Sequence, residues 1–362
     1  MELIKNPVAA IVHVIHRYFI WVIVASYVIA TVLPAFGLWI RNVNLGSVKV
    51  VQSTVVFSLP LMMLASLLFN AGLGVKTEEL KHLLHQPIVL LGGLLGNLGT
   101  PLAFIITLSF AMKLWHNPEE VQQILVGLAL VASMPIAGSS TAWAQNANGN
   151  LTLSLGLVLL TTLLSPLLTP LVLHAVGFVT TGDYSEDLHQ LASAGVGTFL
   201  GTWVILPSLL GILTHRLIGE RRLATVRPYL KLINYGILVL LNYSNASLTL
   251  PKAVSQPDID FLAVMLVITT ALCIATFVSG YLLARIFRTN QDDMVSLMFG
   301  LGMHNNGTGL VLASMALAGH PQVLLPIIFY NLVQHLVASS VDFAMFRRQH
   351  EAQKVSAVDI KT

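Results

Sequence analysis

Two stretches decide how this chain is read: Met134-Pro135-Ile136-Ala137-Gly138-Ser139-Ser140-Thr141 and Gly300-Leu301-Gly302-Met303-His304-Asn305-Asn306-Gly307-Thr308-Gly309. Each is small and polar, and each interrupts a long apolar run. Pro135 removes a backbone donor and clashes with the preceding helical turn. Gly138 and the four glycines between 300 and 309 let the backbone unwind where other residues resist. Two helices are therefore expected to break here.

The flanking residues set the environment of these breaks. Of 362 residues, 55% are hydrophobic and only 10% charged, against about 25% charged in a soluble domain. The mean hydropathy is +0.79. So few charges cannot wrap a globule of this size in water, which excludes the soluble enzyme classes. The apolar runs are long and continuous, unlike the roughly ten alternating residues of a barrel strand, so the spans are helices. The net charge of +3 forms no basic face for nucleic acid. The single cysteine, Cys273, lies within an apolar run and is read as structural, excluding a disulfide framework and a cysteine metal site. No obligate protein partner is evident.

The predicted fold is an all-α polytopic membrane protein of about ten spans. They are placed at about 18–40, 50–75, 87–113, 121–147, 150–178, 188–214, 228–250, 259–284, 291–318 and 321–345. Lys76 to Gln86 reads as a polar connector with interfacial-helix character. With ten spans, fifteen Lys/Arg fall on the side of the termini and four (Arg41, Lys49, Lys113 and Lys252) on the other. This positive-inside bias predicts a multi-pass protein of the inner (plasma) membrane with both termini cytoplasmic.

The two breaks are 165 residues apart, comparing Ser140 with Asn305, and the first and sixth spans start about 170 apart. An odd number of spans per half inverts the second half, the plan of transporters with paired discontinuous helices. The expected organisation is a cytoplasmic segment 1–17, five-helix repeats at 18–180 and 181–346, and a cytoplasmic tail 347–362. The break in the fourth span lies about fourteen residues in, about 21 Å deep and near mid-membrane. There, half-helix N–H ends favour anions and C=O ends favour cations.

The run from Pro135 to Thr141, continued by Gly149-Asn150-Leu151-Thr152-Leu153-Ser154 and Ser165-Pro166-Leu167-Leu168-Thr169-Pro170, resembles the bile acid:sodium symporter family. So do Gly302-Met303-His304-Asn305, Gly307, His335 and the stretch Phe69-Asn70-Ala71-Gly72-Leu73. The resemblance implies a panel domain and a core domain, discontinuous helices 4 and 9 crossing in the core, and sodium-coupled uptake of a small organic anion. It matches sodium ligands to Ser140, Thr141, Ser154 and His304 and a substrate contact to Asn305; the expected sodium set also takes in Met303, and the expected substrate set His304, Thr141 and Asn306. A family glutamine in the third span falls near Gly96 or Asn97.

This sequence departs from the family pattern at several positions. Thr141 stands where the family has asparagine, Val158 where it has a hydroxyl, and Gly300 where it has a glutamate bridging both sodium sites. Sodium would then be held by neutral oxygens alone. His304, matching a family glutamine, is a poor sodium ligand but a natural proton carrier, titrating near about 6.5 when unperturbed. Sodium-coupled, proton-coupled and uncoupled transport all remain open on these residues, as does a receptor that kept the fold. An intramembrane enzyme would need an acid or nucleophile pair at depth, and every carboxylate lies at a span edge, in a loop or in a tail, Asp342 being the deepest. An arsenite exporter would want a cysteine in the fourth span, and none is there. Asn242, Tyr243 and Asn245 read as interfacial, His174 likewise, and His335 as a buried histidine bonded to its neighbours.

Overall fold

The computed structural model describes residues 8, 15, 18–50, 53–75 and 86–347. The expected connector at 76–85, the C-terminal tail beyond Arg347 and nearly all of segment 1–17 lie outside them. Among the described residues the architecture is all-helical apart from one small hairpin.

The first expected span divides into α1 (Phe19–Val32) and α2 (Pro34–Asn42), bent by 93°. Pro34 cannot continue the ladder and restricts Leu33 before it. The Leu33 carbonyl accepts a hydrogen bond from the Tyr243 hydroxyl instead. The second span departs from the reading at its start: β1 (Asn44–Val50) and β2 (Ser53–Ser58) pair antiparallel, and α3 begins only at Leu59 and ends at Leu73. The Val/Thr-rich run Ser53-Thr54-Val55-Val56-Phe57 favours a pleated strand, although its hydropathy alone is consistent with a buried helix.

Most of the remaining elements follow the apolar runs, but helix begins earlier than expected, in polar sequence, at Asp183 and at Glu220. The first of these elements are α4 (Pro87–Ala111), α5 (Pro118–Ser133), α6 (Ser139–Asn146) and α7 (Leu151–Gly177). Next, α8 (Asp183–Gln190), α9 (Val196–Leu200) and α10 (Leu206–Ile218) run on through two π-helical turns, Leu191–Gly195 and Gly201–Ile205. Then come α11 (Glu220–Ala246), α12 (Leu250–Ser255), α13 (Ile259–Ile286), α14 (Gln291–Gly302), α15 (Asn306–Ala316) and α16 (Leu324–Val341). Asparagine caps α5, α7, α14 and α15, through Asn117, Asn150, Asn290 and Asn305. Each side-chain oxygen takes one of the backbone N–H groups that a helix start leaves unpaired.

Among the described residues, five helices are long and apolar enough to cross a membrane, or six if the bent first pair is one span. The other expected spans are the short α3, the charged-ended α11 and the two interrupted pairs α5/α6 and α14/α15.

Packing sorts the helices into two groups. In one, α3 lies along α10, while α11 packs on α1, α2 and α3. Gly72 and Gly211 face each other there: a Cβ on Gly211 would meet the Phe69 carbonyl, and one on Gly72 the Ser208 carbonyl. The glycine motif at 69–73 thus permits a close backbone approach, fastened by a 2.7 Å hydrogen bond between His215 Nδ1 and the Leu73 carbonyl. In the other group, α13 packs on α14, α16 and α4, and α7 on α4 and α5, enclosing both breaks.

Candidate functional site at the helix crossing

The two breaks touch. Residues 134–138 separate α5 from α6, and 303–305 separate α14 from α15. Ile136 and His304 form an isolated antiparallel bridge. The Ala137 N–H donates to the Met303 carbonyl at 2.9 Å, and the Asn305 N–H to the Pro135 carbonyl at 2.9 Å. An unwound backbone inside a membrane protein must find partners; here each break supplies them to the other.

The bridge leaves one N–H on each strand pointing away from it, and the following helix of each half accepts it. The Ile136 N–H donates to Thr161 Oγ1 on α7 at 3.1 Å. The His304 N–H donates to Gln334 Oε1 on α16 at 3.1 Å. In addition, Thr169 Oγ1 donates to the Ser133 carbonyl at 2.6 Å, closing the end of α5. The His304 carbonyl accepts from Asn306 N at 2.9 Å.

The structure brings the expected residues together unevenly. Thr141 and Ser154 meet between α6 and α7, with Ser154 Oγ donating to Thr141 Oγ1 at 3.2 Å. Ser140 is fully buried and its hydroxyl finds no partner among the described residues. The Met303 carbonyl is in the bridge. His304 is fully buried, with Nδ1 3.3 Å from the Tyr330 hydroxyl and Nε2 unpartnered among the described residues. Asn305 Oδ1 accepts from Thr308 N at 3.2 Å, so this side chain caps α15. The Asn306 amide is buried with neither end bonded. Gly300 faces apolar atoms: a Cβ there would lie 3.3 Å from Leu157 and 3.9 Å from Ile136. The Val158 carbonyl accepts the Thr162 hydroxyl at 2.7 Å.

Several participants escaped the sequence reading. Thr161, Gln334, Asn331 and Tyr330 carry no motif, and their distance from the breaks in sequence hid them. Asn97, left undecided against Gly96, lines a small pocket with Ser133, Pro135 and Thr161, while Gly96 packs on Leu283 and Leu301. From Gln334 a buried polar chain continues outward: Gln334 Nε2 to Asn331 Oδ1 at 3.4 Å, then Asn331 Nδ2 to Asn242 Oδ1 at 3.0 Å and to the Tyr27 hydroxyl at 2.9 Å. Asn242, Tyr243 and Asn245 are thus buried; Asn242 joins the two helix groups through Asn331, while Tyr243 and Asn245 bond to Leu33 and Arg41 within one group. Asp293, at the start of α14, is a more deeply buried carboxylate than Asp342. It accepts from Asn150 Nδ2 at 2.7 Å and Gln86 Nε2 at 3.2 Å. Seven residues separate it from Gly300, about 10.5 Å along a helix, so it fastens the bundle's end rather than the crossing. Cys273 is buried 4.0 Å from the Gly302 carbonyl, His335 is buried and has a bonding partner, and His174 pairs with His189 at 2.8 Å.

A multi-helix membrane protein whose interrupted helices meet at a buried polar crossing falls in the class built around discontinuous spans. The chain belongs to the sodium bile acid symporter family, whose model matches residues 61–256. It is similar to the uncharacterized protein YbaS of Bacillus subtilis, with 24% identity over 287 residues covering 78% of this chain and 87% of the relative. It is also similar to the uncharacterized sodium-dependent transporter YocS of the same organism, at 22% identity over 69% of this chain and 72% of that protein. The rat sodium/bile acid cotransporter 7 is 24% identical over 76% of this chain and 79% of its own length.

Proposed function

We propose that this protein is a secondary active transporter that moves a small organic anion across the inner (plasma) membrane by alternating access. In this reading the ten spans form two inverted repeats with both termini cytoplasmic. The group α1–α3, α10 and α11 acts as a panel that rocks against the core of α4–α7 and α13–α16. The solute binds at the crossing through Asn305, Asn306, Thr141 and His304.

One observation carries the reading. Asn97 Oδ1, Ser140 Oγ, His304 Nε2, both ends of the Asn306 amide and Thr308 Oγ1 are buried without a partner among the described residues. A buried polar group left unpaired costs about 1–3 kcal/mol. So many around one crossing make sense where a polar solute or an ion completes them. The family membership and the sodium-dependent name of one relative support the same class.

Sodium is the favoured coupling ion. Ser140, Thr141 and Ser154 offer hydroxyl oxygens that suit a hard cation, with the Met303 carbonyl as a further oxygen. The apolar setting of Gly300 leaves this set without a carboxylate, so sodium should bind weakly. A second reading, proton-coupled or uncoupled transport, draws on His304: its unpartnered Nε2 suits a proton and gives a sodium ion nothing once protonated. The test is to identify organic acids that raise the thermal stability of the purified protein, then measure their uptake into proteoliposomes under sodium and proton gradients. Gradient-driven accumulation is expected. Binding with no uptake or counterflow would replace the transporter with a receptor, and uptake indifferent to both gradients would leave facilitated diffusion.

A further inference from the structure

Arg41 has no place in the crossing, yet it is only partly exposed, on the last turn of α2. One guanidinium nitrogen donates to Asn245 Oδ1 at 2.6 Å and the other terminal nitrogen to the Ser314 carbonyl at 3.1 Å. Both acceptors are neutral. Among the described residues no carboxylate forms an ion pair with Arg41, although a guanidinium keeps its charge in any protein setting.

The second observation lies on the same amide. Asn245 is 1% exposed and its Nδ2 has no partner among the described residues. Its oxygen faces the guanidinium, which settles which end is nitrogen, so the free NH₂ sits beside the cation as a further donor. A charged fork and a buried amide donor converge with no anion among the described residues. Arg41 and Asn245 come from α2 and α11 in one helix group, and Ser314 from α15 in the other. The cluster therefore straddles the seam between the groups, at the bundle end that also carries the hairpin after α2.

We propose that Arg41 and Asn245 form an anion-recognition subsite at this mouth of the seam, receiving the carboxylate or sulfonate of an organic solute. Oxygens of the anionic group take two parallel N–H donors from the guanidinium and a third from Asn245 Nδ2, displacing the Ser314 carbonyl as acceptor. The inference rests on the transporter reading and deepens it, because it gives the charged end of the solute a receptor separate from the crossing.

The experiment uses the full chain in phosphatidylcholine nanodiscs and equilibrium dialysis of two matched probe pairs, benzoate with benzamide and cholate with cholamide. The wild type should hold at least one anion about tenfold more tightly than its amide. Arg41→Gln should erase that preference and Arg41→Lys should keep part of it, since an ammonium retains charge but not the fork. Asn245→Asp supplies an internal carboxylate, so it should also erase the preference while leaving the Arg41 bond and the fold in place. A merely structural Arg41 predicts no change in Asn245→Asp. Anion preference persisting in Asn245→Asp, or absent from the wild type for both pairs, overturns the proposal. So does Arg41-dependent displacement of the probes by phosphatidylglycerol, which would make the ligand a lipid headgroup. Arg41-dependent binding without uptake would sink the transporter reading alone.

Discussion

Replacing Thr161 with valine tests whether side chains from the following helix hold the broken one. Thr161 and Ile136 are both buried, and the Thr161 hydroxyl is the acceptor for the Ile136 N–H at 3.1 Å. Valine nearly matches threonine in volume, so no cavity opens, but the buried N–H loses its acceptor. An orphaned backbone donor costs about 1–3 kcal/mol, and about 2 kcal/mol is expected. Thr162→Val is the internal control. That hydroxyl only returns to the Val158 carbonyl one turn back, at 2.7 Å, a local bond whose loss should change stability by no more than about 0.5 kcal/mol. Unfolding by titration with sodium dodecyl sulfate in mixed micelles reads both, provided the slopes agree. If the two variants differ by less than about 0.5 kcal/mol, the account of how the break is satisfied fails.

Other perturbations separate structural from functional roles. Gln334→Leu removes the acceptor of the His304 N–H and the link to Asn331, and should slow initial uptake by about tenfold or more by shifting the crossing; Gln334→Glu keeps an oxygen there and should recover part of the rate. Asn305→Ala loses the cap of α15 and should cost about 1 kcal/mol together with transport. Asn305→Asp restores the capping oxygen, so stability should recover while uptake stays low, which unfolding and uptake measured side by side would reveal. Gly211→Ala pushes a methyl into the Phe69 carbonyl and within 3.0 Å of Gly72 Cα, so about 1–3 kcal/mol should be lost in the same titration. Gly236→Ala meets nothing within 4 Å and should be neutral or gain up to about 1 kcal/mol.

Hydropathy and helix-breaking chemistry are local properties, and what depends on them was readable from the chain alone. The membrane class, most helix limits and the positions of both breaks follow from apolar runs, Pro135, Gly138 and the glycines around His304. The partners of the unwound backbone were not readable, because they are set by which helices pack together. Thr161 lies 25 residues from Ile136 and Gln334 lies 30 from His304, and neither differs in type from many other polar residues in the spans. The same holds for the bridge between the breaks, for the burial of Asp293 and for the apolar setting of Gly300. A carboxylate at a span edge looks exposed until its neighbours Asn150 and Gln86 are in place, and a glycine does not say what surrounds it. Where strand and helix share one hydropathy, as at 53–58, only the pairing with 44–50 decided between them. Tertiary packing alone chose the donors and acceptors, since a hydrogen bond in an apolar medium needs its partner within about 3 Å, whatever the separation along the chain.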